Sequence, residues 1–268
     1  MKIALMDSGL GLLAAAATLR ALRPDVDLVL STDPDGMPWG PRTPDDVAAH
    51  ALAVARAAAE HKPDALIVAC NTASVHALPQ IRAELEPDIP VIGTVPAIKP
   101  AAAAGGPIAI WATPATTGSP YQRRLIADFA AGVEVAEVAC PGLADAVESG
   151  DAEAIATAVA GAASRTPRGL RGLVLGCTHY ELLGAEIRAA LGAAELPLFG
   201  SARPVVDQAL RRARPLRERG EGTVTVLRSG REEQLPPAAL TFSEGRSLAG
   251  SPGRTPAGAR GTARATHR

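Results

Sequence analysis

Lysine is nearly missing from this sequence, with only Lys2, Lys62 and Lys99 among its 27 Lys and Arg residues. None of the three stands beside a phosphate-cradling loop, which argues against a pyridoxal phosphate enzyme. Walker and Rossmann glycine loops are missing too, as is a Gly-x-Ser-x-Gly elbow, so neither the common nucleotide sites nor a serine-hydrolase site is expected. No apolar run approaches the ~20 residues that a membrane span needs, and the N-terminus has no signal-peptide core; a cytoplasmic chain is expected. Cysteine is sparse. Cys70, Cys140 and Cys177 are an odd, widely spread set that suits reduced thiols better than a disulfide framework. They form no Cys-x-x-Cys pair for thiol redox work. Cys70, His76, Cys177 and His179 lack the close-spaced pairs of a zinc site, so no metal is expected. The formal net charge of -1 offers no general polyanion-binding surface, and no nucleic-acid partner is expected.

Apolar residues are plentiful, 47% of 268, enough for two cores and in keeping with a length of about two domains. The chain is organised around Gly172–Leu183, GLVLGCTHYELL. Strand-like Leu173, Val174 and Leu175 stop at Gly176-Cys177, polar Thr178, His179 and Tyr180 follow, and a helical pattern begins with Leu182, Leu183 and Ile187. Cys177 then stands past the carboxyl end of a buried strand, where open parallel sheets build their sites. A helix start beside it is expected to lower the thiol pKa. The same pattern occurs earlier, as DALIVACNTASVHALPQIRAEL over Asp64–Leu85, with Cys70 at the junction. Both copies run on to Ile-Arg-Ala-x-Leu, at Ile81–Leu85 and at Ile187–Leu191. IALMDS at Ile3–Ser8 and IAIWAT at Ile108–Thr113 are a shorter echo. Strands alternating with helices argue for an α/β fold with mostly parallel sheets. The repeat makes it two pseudo-symmetric α/β domains, residues 1–95 and 96–210, with the active site in the cleft between them. Residues 211–241 read as a final strand and a helix (Glu232–Leu240) packing back on the first half. Residues 242–268, rich in Gly, Ala, Ser, Pro and Arg, read as a disordered tail.

Other chemistry-bearing residues lie at the ends of these strands. Asp7 ends the first one, and a buried carboxylate there is costly without partners, which points to a role. Ser8-Gly9-Leu10-Gly11 follows as a tight turn. The polar loop Ser31–Pro44, with Asp33, Asp35 and an exposed Trp39, is a candidate substrate-closing loop. Thr43 and Pro44 are a good helix start, and His50 and His61 on that helix read as surface or satisfied histidines. Thr113, Thr116 and Ser119 supply hydroxyls at a helix start. Cys140, followed by Pro141-Gly142 rather than polar residues, reads as structural. Two thiols from opposite halves suit a reaction with one acid and one base on opposite faces of a carbon, each within reach of its proton. Asp7 and His179 are placed to tune them.

These motifs resemble the cofactor-independent aspartate/glutamate racemase superfamily, glutamate racemases in particular. The matching pieces are DSGLG at Asp7–Gly11, PWG at Pro38–Gly40, CNTAS at Cys70–Ser74, the Thr113–Ser119 hydroxyls, ACP at Ala139–Pro141 and GCTHY at Gly176–Tyr180. They run in the family's order from residue 3 to about 240. The resemblance implies that Cys70 is the base for one glutamate enantiomer and Cys177 for the other, with Asp7 assisting the first and His179 the second. Ser8, Asn71, Thr72 and Thr178 match positions holding the amino acid's ammonium and carboxylates. Pro38, Trp39 and Gly40 match the wall around its side chain, and Glu148 a further acidic residue near the second thiol. It implies no cofactor, a homodimer, and D-glutamate for peptidoglycan as product.

The chain also departs from the family pattern. Leu12 replaces the second glycine of Gly-Gly-Leu, and Asp35-Gly36 replaces Ala-Arg. Trp39 replaces a tyrosine, and Gly200 an aspartate. The hydroxyl cluster is one residue short before Tyr121. No thiol is lost, but the changes around residues 35–39 raise a relative acting on aspartate or another amino acid as an alternative. A non-catalytic binding or regulatory relative is a second alternative, against which the two intact cysteine motifs stand.

Overall fold

Short apolar strands that end in polar or small residues recur along this chain. In the computed structural model, which describes residues 1–213 and 220–250, they build two sheets. The strands are β1 (Lys2–Met6), β2 (Asp27–Thr32), β3 (Ala65–Val68), β4 (Val91–Gly93), β5 (Ile108–Ala112), β6 (Val135–Ala139), β7 (Gly172–Leu175), β8 (Leu198–Phe199), β9 (Val224–Arg228) and β10 (Arg231–Glu233). The helices are α1 (Leu13–Leu22), α2 (Pro44–Ala59), α3 (Asn71–His76), α4 (Leu78–Leu85), α5 (Ile98–Ala103), α6 (Pro120–Phe129), α7 (Leu143–Ser149), α8 (Ala152–Ser164), α9 (Gly184–Leu191), α10 (Ala202–Arg212) and α11 (Ser243–Ala249). The first sheet has the order β10-β9-β2-β1-β3-β4 and the second β6-β5-β7-β8. Every pairing is parallel except β9 with β10.

The central strands β3, β5 and β7 are buried along their whole length, as parallel strands covered on both faces must be. Helix starts follow the expected chemistry. Thr43 accepts the Asp46 amide at 3.3 Å and Ser119 the Gln122 amide at 3.1 Å, each with proline next in the chain. Asp151 caps α8 through the Glu153 and Ala154 amides. One apolar cluster runs through both halves, joining Leu5, Leu13 and Leu19 to Trp111, Leu175 and Tyr180. Helix α10 follows the second sheet in sequence, yet it packs on α1, β3 and β4 of the first. Its buried Val205, Val206 and Ala209 carry it there, so residues 202–210 stand outside the half to which the sequence assigned them.

The C-terminal region differs most from expectation. The helix read over Glu232–Leu240 is absent. Ser229 and Gly230, with φ of 47° and 77°, turn the chain back, so Arg231–Glu233 pairs with the edge of β9. Pro236 and Pro237 lack the amide hydrogens a helix needs there, and only a short 3₁₀ turn forms over Pro237–Thr241. The tail assignment fails at its start. Phe242 and Leu248 are buried, and α11 packs on α1, because two well-placed apolar residues outweigh a polar local composition. The rest of that stretch, 251–268, lies outside the described residues.

Candidate active site

Cys70 and Cys177 occupy equivalent places. Each is the residue before a helical turn, with extended backbone of φ/ψ -138°/123° and -135°/135°. The sequence repeat is therefore a repeat of local geometry. The parallel register sets Met6 beside Val68 and Trp111 beside Leu175. The residues just past these ends, Ser8 with Cys70 and Thr113 with Cys177, open from the two sheets into one cavity of about 700 Å³. Among the described residues no lysine or arginine lines it, so an anionic guest meets hydroxyls, amides and His179, with the Asp145 and Glu148 carboxylates on the α7 side.

Each thiol has its own partner. Asp7 is fully buried; its Oδ1 accepts the Ser8 amide at 2.8 Å, and its Oδ2 makes no hydrogen bond among the described residues. Burial pushes its carboxyl up to about 6, against the lowering pull of the His179 charge. The Cys70 thiol is also pushed well up, by burial first and then by the negative charge of Asp7. The amide of Ala73 pulls the other way and loses, so burial outweighs the helix start at this thiol. At the other thiol, the Cys177 sulfur lies 3.7 Å from His179 Nδ1, and His179 Nε2 lies 2.5 Å from Glu148 Oε1. Burial opposes the imidazolium, but hydrogen bonds to Cys177 and Glu148 and the charge of Asp7 overcome it and raise the His179 pKa well above its ordinary value. The same Glu148 oxygen accepts the Leu10 amide at 2.5 Å, tying the second half to the turn after β1. Gly9 makes this contact possible, since a Cβ there would overlap the Glu148 carboxylate, and Gly11 lets the two halves close beside it, since its Cβ would overlap Asp7 Oδ2 and Thr178 Oγ1 and stand 2.8 Å from His179 Nδ1.

Ser8, Pro38, Trp39, Gly40, Asn71, Thr72, Thr113, Thr116 and Thr178 all line the cavity together with the two cysteines, His179 and Glu148. Asn71 reaches across it, its Nδ2 donating to the Gly176 carbonyl at 2.7 Å while Oδ1 makes no hydrogen bond among the described residues. Thr113 and Thr116 hydroxyls bond each other at 3.2 Å. Ser119 caps α6 instead. Trp39, expected to be exposed, is buried at 2%, because the loop folds its indole inward onto Asp33. Asp33 itself does not line the cavity. Sequence reasoning missed Asp145 and Ser149, which line it from α7 together with Glu148. Their spacing of three and four residues puts all three on one helical face, a signal the sequence carried. Cys140 also lines the wall, with its thiol on the Val138 carbonyl at 3.6 Å and its pKa pushed up to about 12 by burial.

Two α/β halves, each bringing a thiol to one cavity, the first backed by buried Asp7 and the second flanked by His179 and Glu148 in the wall, suit proton transfer on opposite faces of a small molecule, the work of a cofactor-independent racemase or epimerase. The family model for Asp/Glu/Hydantoin racemase matches residues 11–209. A glutamate racemase of Roseiflexus sp. (strain RS-1) is 37% identical over 246 residues, 87% of this chain and 89% of that one. One of Sphingopyxis alaskensis is 41% identical over 201 residues, 71% and 74% of the two chains. The crystal structure of Escherichia coli glutamate racemase with L-glutamate and the activator UDP-MurNAc-ala superposes with a TM-score of 0.78 at 26% identity, covering 90% of this chain and 91% of that one. The chain belongs to the Asp/Glu/Hydantoin racemase family.

Proposed function

We propose that this protein is an isomerase that interconverts L- and D-glutamate by two-thiol proton transfer at Cα. The observation that carries this reading is the pair of equivalent cysteines opening from the two halves into one cavity. One cysteine, as thiolate, takes the α-proton and becomes a thiol. The electron pair left on Cα delocalises into the α-carboxylate, and the opposite thiol gives its proton to the other face and becomes the thiolate. One S–H bond forms and one breaks, and the product is the mirror image. Cys70 is the base for one enantiomer and Cys177 for the other. Asp7 stands behind the first, while the His179 imidazolium, held by Glu148, meets negative charge developing on the second. Ser8, Asn71, Thr72 and Thr178 hold the ammonium and carboxylates. Thr113 and Thr116 complete the hydroxyl wall. Neutral donors suit this task, because they stabilise growing charge on the carboxylate without binding the ground state too tightly. No cofactor is invoked.

The product serves peptidoglycan synthesis. No described helix is long and apolar enough to cross a membrane, and the reading places the enzyme in the cytoplasm as a homodimer. The test is deuterium incorporation at Cα of L- and D-glutamate and L-aspartate in heavy water, by the wild type and by Cys70→Ser and Cys177→Ser. Exchange with glutamate by the wild type, blocked or restricted to one enantiomer in each variant, is expected. Exchange with aspartate alone moves the substrate assignment. Exchange untouched by either substitution removes the two-thiol mechanism.

A further inference from the structure

The loop between β2 and α2 brings Pro34, Met37, Pro38, Trp39, Gly40 and Pro41 to the cavity wall, and one carboxylate holds that loop from behind. Asp33 is 6% exposed. Its Oδ2 accepts the Trp39 indole N–H at 3.0 Å and contacts His50 Nδ1 of α2 at 2.8 Å. Its Oδ1 accepts the Gly36 amide at 3.2 Å and the Ser229 hydroxyl at 3.4 Å. Ser229 lies in the β9–β10 turn; its own amide donates to the Thr32 carbonyl at 2.8 Å, and its hydroxyl accepts the Asp35 amide at 3.2 Å. Four pieces of the chain thus meet on Asp33: the end of β2, the wall loop, α2 and the C-terminal hairpin.

A buried indole N–H is a donor only and needs an acceptor, and an acceptor on a fixed carboxylate also fixes the plane of the ring. Gly36 shows how tightly the carboxylate is seated. A Cβ on residue 36 would overlap Asp33 Oδ2 and come within 2.5 Å of His50 Nδ1. The wall loop closes on Asp33 only because residue 36 has no side chain. Here the departures Gly36 and Trp39 find a common reason: one makes room for the carboxylate and the other is held by it.

We propose that Asp33 is a positioning residue for substrate selection, which acts through the Trp39 indole to set the wall against which the amino acid packs, with the β9–β10 turn steadying it through Ser229. This inference rests on the racemase reading above. Because Asp33 does not itself line the cavity and reaches it only through Trp39, its removal acts on binding and leaves the proton transfers in place.

The test is the steady-state racemisation of L-glutamate and L-aspartate by Asp33→Ala, Asp33→Asn, Gly36→Ala, Trp39→Phe and the Asp33→Ala/Trp39→Phe double variant. Loss of a hydrogen bond to a charged acceptor corresponds to about a tenfold effect or more, so Asp33→Ala is expected to raise the glutamate KM by about that factor with kcat within about threefold. Gly36→Ala, by dislodging the carboxylate, reproduces it. Asp33→Asn, which keeps an oxygen for the indole, recovers part of the loss. The double variant is no worse than Trp39→Phe alone, because residues acting as one unit are not additive. Additive effects, a fall in kcat at unchanged KM, or unchanged kinetics in Asp33→Ala each overturn the inference. If Asp33→Ala does not fold, Asp33→Asn and Gly36→Ala carry the same comparison with Trp39→Phe. A wild type that racemises neither amino acid overturns the racemase reading and this inference with it; an active wild type with indifferent variants overturns the inference alone.

Discussion

Replacing Asp7 by Asn should make this protein more stable at neutral pH while crippling it. The carboxyl is fully buried, and burial raises its pKa from 3.8 to about 6. The folded state therefore holds the Asp7 proton more tightly than the unfolded chain does. Between those two values the native protein binds more protons than the unfolded one, so stability falls as pH rises through that window. Above it the deficit is complete. A gap of about two units at 1.36 kcal/mol each comes to about 3 kcal/mol. An amide cannot ionise, so Asp7→Asn removes the deficit. With roughly 2–4 °C of melting temperature per kcal/mol for a chain of this size, the variant should melt about 6–12 °C higher at neutral pH. The two proteins should melt together towards about pH 3, where Asp7 is protonated in the native state and mostly so in the unfolded one, below its value of 3.8. Calorimetry at about pH 3 and about pH 7.5 reads this directly. Racemisation should drop by about a hundredfold or more, the usual scale for losing a group that assists proton transfer. A gain equal at both pH values, or a loss of stability at neutral pH, would refute the argument, because either result means that ionised Asp7 is not under strain in the fold.

Glu148→Gln removes the anion beside the largely buried His179. A hydrogen bond to a charged group is worth about 1.5–3 kcal/mol, so the alkaline limb of kcat/KM, where His179 loses its proton, should move roughly one to two units towards acid; a limb that stays in place shows that Glu148 does not hold the imidazolium. Since L- and D-glutamate have equal free energies, kcat/KM must fall equally in both directions. The α-deuterium isotope effect should change for one enantiomer only. Gly11→Ala drives a methyl into Asp7 and Thr178 and should cost about 1–3 kcal/mol of stability, together with most of the activity; wild-type turnover in this variant would show that the two halves do not need that close approach. Chains ended at residue 250 and at residue 241 should differ by roughly 3–5 kcal/mol in urea unfolding, from removing buried Phe242 and Leu248. Equal midpoints would mean that α11 contributes nothing to α1.

Much of this protein is legible in its sequence because its signals are local. Lys2–Met6 and Ile108–Ala112 read as strands from their apolar runs and are strands to the residue. The helix start at Thr43-Pro44 depends on one side chain and one ring, and needs nothing distant. The two cysteine motifs repeat, and their backbone angles repeat with them. Chemistry that lives in a strand end and the turn after it can be read this way.

What the sequence could not carry is set by neighbours far along the chain. Trp39 looked exposed because its loop is polar, yet its indole turns inward onto Asp33, which His50 and Ser229 hold in place, and joins an apolar cluster with Met6 and Val68. Residues 232–240 looked helical, but the edge of β9 was there for residues 231–233 to pair with. Cys70 sits at a helix start that favours the thiolate, and only the surrounding burial and the Asp7 charge show that the thiol form wins. By itself the sequence determined the parallel α/β scaffold and the two thiols, since apolar periodicity and strand-end residues act over a few positions. Tertiary structure alone decided the electrostatics of those thiols and the wall around their cavity, because desolvation and charge act through space between residues the chain keeps far apart.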